Sequence, residues 1–115
     1  LIIVRIERLE DGTIQGFSSR GHAGYADPGE DIVCAAVSAI TVGAVNSIES
    51  LTGIVMKSKM KDGFLSARLR NLSEDAPHEK IQLLLESMQV MLVTIEESYG
   101  EYIKIKQVTL TEKRR

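Results

Sequence analysis

The only cysteine of the chain, Cys34, and one of its two histidines, His22, fall within the single short stretch GHAGYADPGEDIVCAAVS. A thiol within reach of an imidazole is the pair used for acyl transfer: the thiolate attacks, and the imidazole takes its proton and later returns it to a leaving amine. Asp31 stands just before an apolar helical period that opens at Ile32, where its carboxylate can accept from the unpaired N–H groups of the first turn. That spacing puts Cys34 in the first turn, where the helix dipole and free N–H groups favour a negatively charged sulfur. The Asp31 charge opposes this, because like charge disfavours a thiolate. Its other use is to hold a ring nitrogen of the histidine, and the residues alone leave both roles open. Ser38 follows Cys34 by one helical turn on the same face, so its hydroxyl can donate to the sulfur or to a substrate, and Thr41 continues that polar stripe.

Taken one at a time, these residues have plainer readings. A lone cysteine among Val33, Ala35 and Ala36 is an ordinary small core residue. A loop histidine is an ordinary surface residue, Asp31 an ordinary cap, and Ser38 can bond back to the carbonyl of residue 34. Only their convergence on one loop and one helix start points to a site.

The elements that must position them are legible from periodicity. Residues 1–8 alternate, with Ile2, Val4 and Ile6 on one face, as a half-buried strand does. Glu10, Asp11 and Gly12 form a turn into a second extended run over 13–20, making a hairpin. Residues 21–31 carry three glycines and a proline, which breaks both helix and strand and predicts a functional loop able to change shape. A helix follows over 32–52, with Val33, Val37, Ile40, Ala44, Ile48 and Leu51 on its buried stripe and Gly53 as its stop. Runs at 54–60 and 64–69 meet at Asp62-Gly63 as a second hairpin. A second helix starts near Pro77, buries Ile81, Leu84, Leu85, Met88, Met91, Leu92 and Ile95, and ends at Gly100. Residues 102–109 form the last strand, before a short charged tail expected to fray. The order β-β-α-β-β-α-β predicts an α+β fold: two helices packed on a mostly antiparallel sheet, in one domain spanning residues 1–115.

Composition narrows the function classes. With 115 residues, 43% of them hydrophobic, the chain can bury a core without disulfides or metal. Fourteen Lys and Arg against sixteen Asp and Glu leave no global positive field, so direct nucleic-acid binding is not expected. One cysteine and two histidines do not assemble a structural zinc site, and Gly21, Gly24 and Gly29 lack dinucleotide-fingerprint spacing, so no metal or cofactor is expected. The apolar run at residues 1–4 is too short for a signal peptide or membrane span, so a cytoplasmic protein without membrane contact is expected. Lys57, Lys59 and Lys61 alternate along one run, as do Lys104 and Lys106; a solvated sheet face accounts for them, and a local basic strip that meets RNA is the alternative.

Across IIVRI, G-H-A and D-I-V-C-A-A-V-S, and over most of its length, the chain resembles the bacterial ribosomal-processing cysteine protease family. The resemblance implies a homodimeric endopeptidase that clips an N-terminal extension from a large-subunit ribosomal protein. It implies His22 as general base, Cys34 as nucleophile and Ser38 as a hydrogen-bonding assistant, with Asp31 and Gly21 at motif positions in structural roles. Dimerisation also fits the apolar first helix, where Ala35, Ala36 and Ala39 permit close approach. The rival is a noncatalytic, ribosome-associated interaction domain whose Cys34 is core packing or a redox-sensitive thiol.

Overall fold

The computed structural model describes residues 1–111 as seven elements in the expected order: β1 (Ile2–Arg8), β2 (Ile14–Arg20), α1 (Ile32–Thr52), β3 (Lys57–Lys61), β4 (Phe64–Arg68), α2 (His78–Tyr99) and β5 (Ile103–Thr109). The strands form one sheet ordered β3-β4-β2-β1-β5. Three pairings are antiparallel, and β5 runs parallel to β1, returning to it through α2. A parallel neighbour needs a crossover of at least a helix, and α2 supplies it.

The strand alternation sorts side chains onto two faces. Ile2, Val4 and Ile6 of β1 share one face with Phe17 of β2, Leu65 and Ala67 of β4 and Ile103 of β5. Both helices cover this face. Ile81, Leu85, Met88 and Leu92 of α2 lie fully buried, as do Val33, Val37 and Ile48 of α1 within a few per cent. Each such side chain contributes about 1.5–3 kcal/mol on burial. Arg8 ties α2 to the sheet through a two-pronged contact with Glu86, at 2.6 and 3.1 Å, and a bond to Gln89. Hydrogen bonding to Arg8 holds the Glu86 carboxyl below its ordinary range and raises the guanidinium in turn.

Three expectations need correction. Leu51 does not join the buried stripe; it is 68% exposed. A 21-residue helix is about 31 Å long against about 23 Å for a seven-residue strand, so the last turn of α1 overhangs the sheet. Met91, placed in the buried stripe of α2, is 44% exposed at its margin. Residues 54–56 are not strand: β4 ends at Arg68, so they have no partner strand, and β3 begins only at Lys57 opposite Arg68. The charged tail beyond Leu110, whose N–H still bonds Arg8, falls on residues 112–115, outside the described residues. By length and hydropathy α1 passes as a membrane span, with a mean of 1.7, yet it packs against α2 and carries the site described next.

Candidate functional site

Asp31 caps α1 in extended geometry, its Oδ1 accepting from the N–H groups of Val33 and Cys34 at 3.0 Å each. Its Oδ2 accepts from Tyr25 and Ala26, at 2.9 and 3.2 Å, so one carboxylate fastens the loop to the helix start. Burial works against the Asp31 charge, but the N–H groups of Cys34, Ala26, Tyr25 and Val33 outweigh it and hold the carboxyl below its usual range. Of the two roles open from sequence, cap and histidine partner, the geometry gives Asp31 the first. A consequence is that the Val33 and Cys34 donors of the helix start are already occupied.

The Cys34 thiol is half-buried, and its partner is the backbone N–H of Ala23, 3.3 Å from Sγ. An N–H aimed at sulfur solvates thiolate charge as the helix start does. Ala23 itself is buried, which fixes this donor. The loop is fastened again at Tyr25, whose ring meets Tyr99 and Tyr102 edge-on with centroids 5.6 and 5.2 Å apart. The expected shape-changing loop is therefore pinned at Ala23 and Tyr25, while residues 26–30 between Tyr25 and the cap are exposed.

His22 rests on the β3–β4 turn. The Gly21 N–H bonds the Gly63 carbonyl at 2.8 Å, and a Cβ on Gly63 would stand 2.7 Å from His22 Nε2. Gly21 has φ of +99°, and a Cβ there would run into the Leu1 carbonyl, so no other residue fits beneath the histidine. His22 Nε2 lies 3.9 Å from Oδ2 of Asp62, with both side chains well exposed. Asp62 has no counterpart in the sequence reading. Its Asp-Gly pair announced a turn, and only the fold reveals that the turn meets the histidine.

Gly21, His22, Asp31, Cys34 and Ser38 all line one cavity of about 810 Å³. Its walls are the loop, the N-terminal half of α1 and the β3–β4 turn, with Met60 and Leu65 as apolar floor. Ser38 is exposed to this space, and its hydroxyl has no partner among the described residues. Thr41 differs: buried, it bonds back to the Val37 carbonyl at 2.8 Å and is not free to assist. Among the described residues no hydrogen bond joins His22 to Cys34, and no cluster of metal-ligating side chains occurs. The arrangement holds a thiol with a fixed donor and an exposed imidazole on one cleft.

Comparison with known proteins adds an independent line. The family model described as cysteine protease Prp matches residues 1–104. The ribosomal processing cysteine protease Prp of Bacillus subtilis is 34% identical over 107 residues, 91% of this chain and 96% of that protein. Its Staphylococcus aureus counterpart is 35% identical over 105 residues, 91% of this chain and 97% of that one. A crystal structure of the S. aureus protease with a covalently linked product peptide aligns with TM-score 0.82 at 35% identity, covering 93% of this chain and 99% of that chain. A second, with a substrate peptide, gives 0.79 at 34% identity and the same coverage.

Proposed function

The chain belongs to the cysteine protease Prp family, and from that premise we propose that it removes the N-terminal extension of a large-subunit ribosomal protein, with Cys34 as nucleophile and His22 as general base. The observation that carries the assignment is the meeting of the chain's only thiol and the loop imidazole on one cleft, with the Ala23 N–H set against the sulfur at 3.3 Å. As a protease the protein is an enzyme, which sets aside the noncatalytic interaction domain.

In the proposed reaction His22 takes the thiol proton and Sγ bonds to the scissile carbonyl carbon, leaving charge on its oxygen. Since Asp31 occupies the donors of the helix start, the Ala23 N–H is the donor placed to follow that charge from sulfur to oxygen. Collapse breaks the C–N bond as the imidazolium gives its proton to the leaving amine. Water, deprotonated by His22, then cleaves the thioester and restores the thiol. Asp62 is a positioning residue that biases the ring, and Ser38 bonds the substrate backbone. Peptide filling the cleft brings His22 over the sulfur, so that the pair assembles on the substrate.

The protein works in the cytoplasm as a homodimer. The surface best suited to a second copy is the outer side of α2, where Leu83 and Val90 are 70% and 64% exposed beside Met91. The test of the function is incubation with the extended ribosomal precursor, followed by product masses. A single cut at the extension junction, absent in Cys34→Ala, is expected; an intact precursor with wild-type enzyme defeats the substrate assignment.

A further inference from the structure

The strand register gathers the chain's positive charge on the sheet face opposite the helices. Lys57, Lys59 and Lys61 of β3 lie on it, opposite Arg68, Ser66 and Phe64 of β4. Those in turn meet Gly16, Ser18 and Arg20 of β2. The row continues through Arg5 of β1 to Lys104 and Lys106 of β5. Among the described residues this face carries eight cationic side chains and one carboxylate, in a chain of fourteen Lys and Arg and sixteen Asp and Glu. The one carboxylate, Glu7, is 8% exposed and bonded to Arg68 at 3.1 Å, so it presents little charge to solvent. All eight cations are exposed, and only Arg68 has an ion-pair partner among the described residues.

We propose that this face is a docking surface for base-paired RNA, held through its phosphate backbone. A net charge of −2 conceals the segregation, because the acids lie almost wholly elsewhere. Lysines on the edge strand β3 would by themselves be explained as guards against edge-to-edge pairing. That explanation does not reach Arg5, Arg20 and Arg68 on the interior strands, and solubility is served by mixed signs rather than one. Five strands span about 19 Å and Lys57 to Lys61 about 13 Å, a broad platform suited to a polyanion. Single-stranded RNA is the weaker fit because stacking needs exposed aromatic rings. The face has one, Phe64, and the Arg20 guanidinium already covers it at 4.8 Å. An acidic protein segment is disfavoured by the near-absence of exposed apolar anchors between the cations. The choice of RNA over DNA rests on the proposed ribosomal substrate, which sits in an RNA particle. Lys61 belongs both to this face and to the cleft wall, so an RNA-bound precursor would be held beside Cys34.

The test uses the whole chain and a 20-base-pair RNA duplex, with binding followed by anisotropy between 50 and 200 mM salt. Leaving out Arg68, paired with Glu7, and Arg20, which covers Phe64, the remaining six cations predict a log–log salt slope of about −5 and a loss of roughly a thousandfold over that range. The variant K57Q/K59Q/K106Q should bind at least tenfold more weakly, with a slope shallower by about three. The same variant should cleave a free peptide as the wild type does, which reports that it is folded. Cys34→Ala should bind RNA normally, so failure of the protease assignment and failure of this one separate. No binding at 50 mM salt overturns the proposal, as does a variant that binds like wild type. Equal or tighter binding of polyglutamate of matched charge assigns the face to acidic protein instead, and equal binding of a DNA duplex removes the choice of RNA.

Discussion

The contact between the β3–β4 turn and His22 makes Gly63→Ala a sharp probe. Gly63 has φ of +70°, so any side chain there costs about 1–2 kcal/mol in backbone strain. For a chain of this size that is a fall in Tm of about 4–8 °C. The added Cβ would also stand 2.7 Å from Nε2, where ordinary contact begins at 3.4 Å, so the ring retreats by about 0.7 Å. Misplacing a catalytic group by 1 Å costs on the order of 100-fold, so a 10- to 100-fold lower kcat/KM is expected, or about 1.4–2.7 kcal/mol in the barrier. Gly12→Ala is the matched control: its φ is +92° but its Cβ meets nothing within 4 Å. Both variants should lose similar stability by thermal denaturation, and only Gly63→Ala should lose peptide cleavage. If the two retain equal activity, the turn does not position the histidine and the argument from this contact is wrong.

Ser38→Ala should lower peptide cleavage by roughly 3- to 10-fold, one hydrogen bond's worth, mainly through KM; an unchanged rate removes Ser38 from the site. Glu86→Gln breaks the pair with Arg8 in a partly exposed setting, so about 0.5–1 kcal/mol of stability should be lost at pH 7. Because the Glu86 carboxyl titrates below its ordinary range, that stability is present above the unfolded pKa and fades as pH falls through the folded one. Denaturation midpoints of variant and wild type should therefore converge toward pH 3, and a constant gap would show that the pair's charge is not what stabilises. Leu83→Glu with Val90→Glu should convert a dimer to monomers in light scattering, and an intact dimer would place the interface elsewhere.

Much of the scaffold was readable because each element is locally consistent. The β1 alternation, the Asp-Gly turn and the i, i+4, i+7 stripe of α2 state their own period, and Asp31 announces the start of α1. What failed was decided by length and by distant partners. Leu51 continues a perfect stripe past the end of the sheet, and residues 54–56 lack a neighbour because β4 stops at Arg68. The site was legible in its local half: Cys34, His22, Ser38 and the cap lie within one stretch. Asp62 and the Gly63 shelf come from forty residues away, and no local pattern couples a turn to a loop histidine. The basic face was legible only in part: the alternating lysines of two strands showed in sequence, but their union with Arg5, Arg20 and Arg68 did not. Its residues are single alternating positions on five strands, and their common side exists only once the register is known.

Whether Cys34 carries the acyl group is read most directly by acid quenching of wild-type protein with substrate peptide, followed by intact mass and fragmentation. A transient adduct equal in mass to the N-terminal fragment less one water is expected, located on Cys34 and absent in His22→Ala and Cys34→Ala. Undiminished cleavage by Cys34→Ala, or an adduct on any other residue, would contradict it.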